Sequence, residues 1–215
     1  MNNKFLINPK RMQNKMKLLL TSSGLRNKIV SDFFISILGK KPKECSVLII
    51  AYVQNDEEQF YISESKKELL DLGIKNISFL NLKEDVFENQ NDFDVIYVCG
   101  GNTFAILNRM RILSMDKFII NSINKSSVYF GISAGSIIAG PNIEIAGFGS
   151  EGDINEIGLK NLSGLNLTNI SIFPHYRDDL KSEVDIFRSR ADYPVVALKD
   201  GEAIFVEDSG YQIIK

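Results

Sequence analysis

The chain carries one histidine and two cysteines among its 215 residues. Cys45 and Cys99 cannot make a disulfide framework. With a single imidazole and two distant thiols, the ligands of a structural zinc site are missing as well, so no metal or cofactor is expected. No apolar run approaches the roughly 20 residues that a membrane span needs. Residues 1–15 are polar and basic with one short apolar patch, and they lack the apolar core of a secretory signal. They read as an extension outside the fold, or as an upstream start of translation. A reducing cytoplasm is the compartment this predicts. Charge of one sign is scarce too: 25 basic and 27 acidic residues leave a formal net charge of -2. Without a long basic stretch, neither nucleic acid nor an anionic membrane is expected as a partner.

What is present suits one soluble globular domain over residues 16–215, since hydrophobic residues make up 44% and charged residues 24% of the chain. Strand-like and helix-like segments alternate. Residues 17–21 form a short apolar run ended by Ser22-Ser23-Gly24, and 28–38 show helical spacing before Gly39. A β-branched run at 46–53 predicts a strand covered on both faces. Helices are predicted at 57–72, 103–113 and 117–124, and strands at 76–80, 94–99 and 127–130. The acidic cluster Asp56-Glu57-Glu58 reads as a helix start, where negative charge is favoured, and Phe33 and Phe34 read as core. Residues 142–163 look like loops or short strands. A strand at 169–173, a helix at 178–188 and three short strands at 195–198, 203–206 and 211–214 finish or flank the sheet. The pattern predicts an α/β fold with a mostly parallel sheet.

Gly131-Ile132-Ser133-Ala134-Gly135 spells G-x-S-x-G directly after a predicted strand. A serine on a tight strand–helix turn is pushed out of the sheet's carboxyl edge, and the helix that follows aims free N–H groups at it. Glycines two residues to each side let neighbouring backbone pass close. The competing reading is a serine that merely caps a helix. His175, in Phe173-Pro174-His175-Tyr176, follows a predicted strand and is the only imidazole. If Ser133 is a nucleophile, His175 is its base; otherwise it is a histidine with no role. Gly100-Gly101 follows another strand and opens a helix. Such a pair can expose N–H groups to a substrate oxygen, so Gly101 and Ala134 are candidate oxyanion donors. The glycine pair spells neither a dinucleotide-binding nor a Walker-type fingerprint. Cys99 reads as a small buried residue at a strand end.

Together, Gly100-Gly101-Asn102-Thr103-Phe104, Gly131-Ile132-Ser133-Ala134-Gly135-Ser136 and Phe173-Pro174-His175-Tyr176 resemble the dipeptidase E family of serine peptidases, which includes the cyanophycinases. The resemblance runs from about Lys17 to the C-terminus. It implies a class I glutamine amidotransferase-like fold, helices on both faces of the sheet, and serine at the nucleophile turn. It implies cleavage of small peptides with an aspartyl residue on the acyl side, by Ser133 with His175 as base and Gly101 and Ala134 as oxyanion donors. For the third triad member, the family's glutamate before a glycine corresponds here to Asp200 before Gly201, one methylene shorter. Asp153 resembles an aspartate also assigned to the family's triad, and Glu202 is a third candidate. A substrate carboxylate needs a cation, for which Arg177 is the first candidate, with Arg188 and Arg190 as alternatives, each of them equally readable as a solvated surface arginine. Asn102 is a second substrate-binding candidate. The departure at Asp200 motivates a rival reading, a binding or regulatory protein that kept the fold and lost the activity. An amidohydrolase acting on another amide bond is the other. Oligomeric state is left open, with a homodimer as one outcome.

Overall fold

The structure, a computed structural model, describes residues 16–84, 86–87, 91–208 and 210–215. The anticipated extension, residues 1–15, lies outside the described residues. A seven-stranded sheet runs through the molecule in the order β3-β2-β4-β5-β1-β8-β9. Its parallel part consists of β1 (Lys17–Thr21), β2 (Ser46–Ala51), β3 (Asn76–Asn81), β4 (Val95–Val98) and β5 (Val128–Ile132). Two antiparallel strands, β8 (Ala203–Glu207) and β9 (Gly210–Ile214), extend it beyond β1. Only residues 208 and 209 join β8 to β9, a connection short enough to allow only a hairpin.

The apolar runs sort onto two faces by the period of two that strand geometry imposes. Leu18 and Leu20 of β1, Leu48 and Ile50 of β2, and Ile96 and Val98 of β4 join one buried layer. Leu19, Val47, Ile49, Val95 and Tyr97 join the other. Helices α1 (Lys28–Ile37) and α2 (Asp56–Asp71) cover the second layer with Phe34 and Leu69, and Tyr97 stacks on Phe130 there at 4.5 Å. Helices α3 (Thr103–Ile112), α4 (Met115–Asn124), α5 (Ala134–Ile138) and α6 (Lys181–Arg188) cover the first with Leu107, Ile119, Ile137 and Val184. Helices on both faces explain why the parallel strands read as continuous apolar runs. Asparagine begins three of the helices: the side chains of Asn27, Asn55 and Asn102 accept from backbone N–H groups in the first turns of α1, α2 and α3.

Two segments depart from the sequence reading. Strands β6 (Ser171–Phe173) and β7 (Val195–Ala197) pair in parallel with each other as a separate two-stranded sheet. The helix expected over 178–188 begins as a 3-10 turn at Asp178–Leu180 before α6. Residues 142–163 hold one further 3-10 turn, Glu144–Gly147, and a single bridge between Asn142 and Ser163. The described residues contain no helix long and apolar enough to cross a membrane.

Candidate active site

Ser133 stands where β5 ends and α5 begins, beyond the carboxyl edge of the parallel strands, where open α/β sheets gather their ligands. Its backbone is held at φ 48° and ψ -110°, outside the regions L-residues prefer. Two constraints impose this. The Ser133 N–H donates to the Thr21 carbonyl of β1 at 3.0 Å, while the Ser133 carbonyl already accepts from Ser136 and Ile137 of α5. The flanking glycines are steric requirements. A Cβ on Gly131 would stand 2.7 Å from the Gly135 carbonyl carbon, and one on Gly135 would run into the Val98 carbonyl oxygen. Ser133 makes no side-chain capping bond to α5. Its hydroxyl faces His175 instead, with Oγ 2.9 Å from Nε2.

β6 and Pro174 deliver His175 to this point, and its backbone too is left-handed, at φ 54°. Its other ring nitrogen, Nδ1, lies 2.7 Å from Oδ1 of Asp200. Asp200 follows β7, on the turn that leads into β8. Burial pushes the Asp200 carboxyl up, but the hydroxyl of Ser22 and the imidazole of His175 hold it below its ordinary value. The other two carboxylates are engaged elsewhere. Asp153 accepts from the Thr103 N–H at 2.8 Å, at the start of α3. Glu202 accepts from the Lys199 N–H at 3.0 Å and so closes its own turn.

Gly101, at φ 127°, and Ala134 both border the serine. Gly100 lies against it as well, since a Cβ there would lie 3.4 Å from that of Ser133. Ala134 is the first residue of α5, so helix geometry leaves its N–H without an intrahelical acceptor. Asn102 spends its side chain on the fold, accepting from Ala105 and donating to the Ile154 carbonyl at 2.9 Å.

Two cavities open on either side of Ser133, and Gly101, Ser133, His175 and Asp200 line both. The larger, about 560 Å³, runs toward Tyr52, Tyr61 and the carboxylates of α2. The smaller, about 420 Å³, includes Arg177, Glu151, Asp153 and Thr103. Arg177 is held there by Glu151 in a two-pronged bond of 3.0 and 2.6 Å and by Asp179 at 3.3 Å. This pairing lowers the Glu151 carboxyl below its ordinary value. Arg188 is spent on the Val195 carbonyl and Asp185, and Arg190 lies over the Phe148 ring at 5.8 Å. Cys99 is 3% exposed, and burial pushes its thiol up to about 12, which leaves it a poor nucleophile. Residues 147–152 happen to spell G-x-G-x-x-G, but with no strand before or helix after they lack dinucleotide-binding context. Among the described residues, no group of three His, Cys, Asp or Glu side chains is placed to hold a metal ion.

The residue the sequence reading missed is Ser22. It is wholly buried at the end of β1, donates to Asp200 Oδ1 at 2.8 Å and accepts the His175 N–H at 2.8 Å. Its only signal in the sequence was its place at the carboxyl end of a strand.

Known proteins resemble this chain in sequence and in fold. An uncharacterized peptidase of Listeria monocytogenes is 30% identical over 202 residues, covering 89% of this chain and 95% of that one. Peptidase E of a Nostoc species is 26% identical over 189 residues, covering 83% and 75%. A 1.5 Å crystal structure of a provisionally designated peptidase E protein from Listeria monocytogenes EGD-e superposes with a TM-score of 0.76 at 27% identity, covering 94% of this chain and 98% of that one. The family model of peptidase family S51 matches residues 18–214. The chain therefore belongs to peptidase family S51 and is a peptidase.

Proposed function

We propose that Ser133 is the nucleophile, His175 its general base and Asp200 the carboxylate that orients the base. The observation that carries this reading is the continuous relay of two hydrogen bonds, 2.9 Å from Ser133 Oγ to His175 Nε2 and 2.7 Å from Nδ1 to Asp200 Oδ1. Asp200 accepts a hydrogen bond from Nδ1–H, which keeps the proton on Nδ1 and leaves the Nε2 lone pair facing the hydroxyl. As Oγ attacks a peptide carbonyl, Nε2 takes its proton; the imidazolium then gives that proton to the leaving amine, and water hydrolyses the acyl-enzyme. The N–H groups of Gly101 and Ala134 receive the negative charge that develops on the carbonyl oxygen. The left-handed backbones of Ser133 and His175 support the same reading, because strain of this kind gathers at active sites.

The substrate proposed is a small peptide with an aspartyl residue on the acyl side of the bond. Arg177 supports this, since its guanidinium borders the same cavity as Ser133 and already grips a carboxylate, that of Glu151. An incoming aspartyl side chain takes the place of Glu151. Asp153 and Asn102 serve by holding the glycine loop and the start of α3. Two free, buried cysteines support a reducing cytoplasm as the compartment. A sheet built from strands lying between Lys17 and Ile214 supports residues 16–215 as one unit.

Ser133→Ala tests the reading. The variant should keep its circular dichroism spectrum and lose hydrolysis of Asp-Xaa dipeptides, with isoaspartyl dipeptides and an aspartyl polymer assayed beside them. Turnover at the wild-type rate in that variant would overturn the mechanism.

A further inference from the structure

The hydroxyl of Ser22 has one proton and two close neighbours, and its bonding can be counted. Its proton goes to Asp200 Oδ1 at 2.8 Å, and its oxygen accepts the His175 backbone N–H at 2.8 Å. The imidazole Nδ1 lies 3.5 Å away and has its own, shorter partner in the same Asp200 oxygen at 2.7 Å. Two donors therefore converge on Asp200 Oδ1, one from the side chain of Ser22 and one from the ring of His175. The fold does not need this hydroxyl to hold β1 in place. The Ser22 backbone N–H already donates to the Glu202 carbonyl at 3.2 Å, continuing the β1–β8 pairing. Both partners of the side chain instead belong to the site. The next residue acts on the same turn, since Ser23 Oγ accepts the Gly201 N–H at 2.9 Å.

We propose that Ser22 is a positioning residue that holds the imidazole and its carboxylate in register. Through the His175 N–H it pins the left-handed backbone that aims the ring at Ser133. Through Asp200 Oδ1 it fixes which carboxylate oxygen meets Nδ1. Having given its proton to that oxygen, the hydroxyl has none for Nδ1, and Nδ1 keeps the proton that turns the Nε2 lone pair toward Ser133. Ser22 also presses on the carboxyl, because its hydrogen bond is the foremost influence lowering Asp200 against the upward push of burial. Because Ser22 is wholly buried where an interior strand of the sheet ends, it ties two loop-borne groups to the packed body of the molecule. This inference rests on the reading of Ser133, His175 and Asp200 given above.

The test uses the full chain and a chromogenic aspartyl anilide, with Ser133→Ala as the blank. Ser22→Ala should lower kcat about 10- to 100-fold and leave KM nearly unchanged, as expected when a catalytic group is misplaced by about an ångström rather than removed. Ser22→Thr and Ser22→Val have the same shape and differ in the hydroxyl alone. Threonine should restore most of kcat, and valine should match alanine. A merely structural role would move all three variants together with their unfolding midpoints. Ser22→Ala at the wild-type kcat, or Thr no better than Val, overturns the role of Ser22 and leaves the triad standing. Should Ser22→Ala fail to fold, the comparison of Thr with Val decides the matter. A wild-type rate no higher than that of Ser133→Ala overturns the triad reading, and the role of Ser22 with it.

Discussion

Replacing Asp200 by asparagine removes one charge and keeps the side chain's shape, so it tests what the carboxylate does for the imidazole. The pair it breaks is His175 Nδ1 to Asp200 Oδ1 at 2.7 Å. In the proposed mechanism the ring becomes an imidazolium, and the carboxylate stabilises it. For charge centres about 4 Å apart, that attraction is about 1 kcal/mol in a water-like medium and about 4 kcal/mol at the effective dielectric of a protein surface. The two side chains are 48% and 65% exposed, so the value falls between those limits. A loss of about 2 to 3 kcal/mol corresponds to a fall in kcat of roughly 30- to 150-fold. In a fully buried triad the same change costs about 10⁴, because an amide N–H facing Nδ1 favours the wrong imidazole tautomer; any such loss here adds to the electrostatic figure. The Ser22 hydroxyl can still donate to the asparagine oxygen, so the unfolding midpoint should hardly move. The assay is kcat on an aspartyl anilide together with the urea midpoint. A kcat within threefold of the wild type would refute the claim that His175 relies on this carboxylate.

Gly135→Ala should destabilise the fold by about 3 kcal/mol, because its new methyl meets the Val98 carbonyl of β4 and overpacked interiors have little give; a urea midpoint equal to that of the wild type would contradict the steric account of the G-x-S-x-G turn. Asp94 is held below the ordinary carboxylate value by Lys40 and by the N–H and hydroxyl of Ser46, against the upward push of burial. Its folded pKa being depressed, its contribution is complete above the unfolded value near 4 and is lost as pH falls through the folded value. Asp94→Asn should therefore cost about 1 to 2 kcal/mol at neutral pH and close to nothing in strong acid, read from urea midpoints across pH. Arg177→Ala should raise KM for aspartyl substrates about 10-fold or more with little change for neutral ones, as loss of a bidentate partner predicts; equal KM changes for both would remove Arg177 from substrate recognition.

How far the sequence could be read depended on how local each signal was. The alternation of apolar runs with helical spacing identified the parallel strands and their covering helices, because period and capping are properties of a few neighbouring residues. Ser133 stood out through glycines two positions to either side, and those glycines are needed because the backbones of β4 and α5 pass too close for a Cβ. His175 was singled out because no other imidazole exists. Three carboxylates, Asp200, Asp153 and Glu202, remained alternatives, since each lies within one residue of a glycine and nothing local tells which one lies near Nδ1. That distinction depends on β8 pairing with β1, a contact between segments nearly the whole chain apart. Ser22 was invisible for the same reason. It is 153 residues from His175 and 178 from Asp200, and in the sequence it only ends a strand. The separate pairing of β6 with β7 was also beyond local reading, because three-residue strands carry too few side chains to indicate a partner.

The measurement that bears most directly on the chemistry is covalent labelling of the intact chain by a fluorophosphonate, mapped by mass spectrometry. An alcohol reacts at a useful rate only when a base removes its proton. The account predicts one adduct per chain, on Ser133, absent from His175→Ala. A folded wild-type chain that takes no label, or an adduct on Ser133 that survives undiminished without the imidazole, would contradict it.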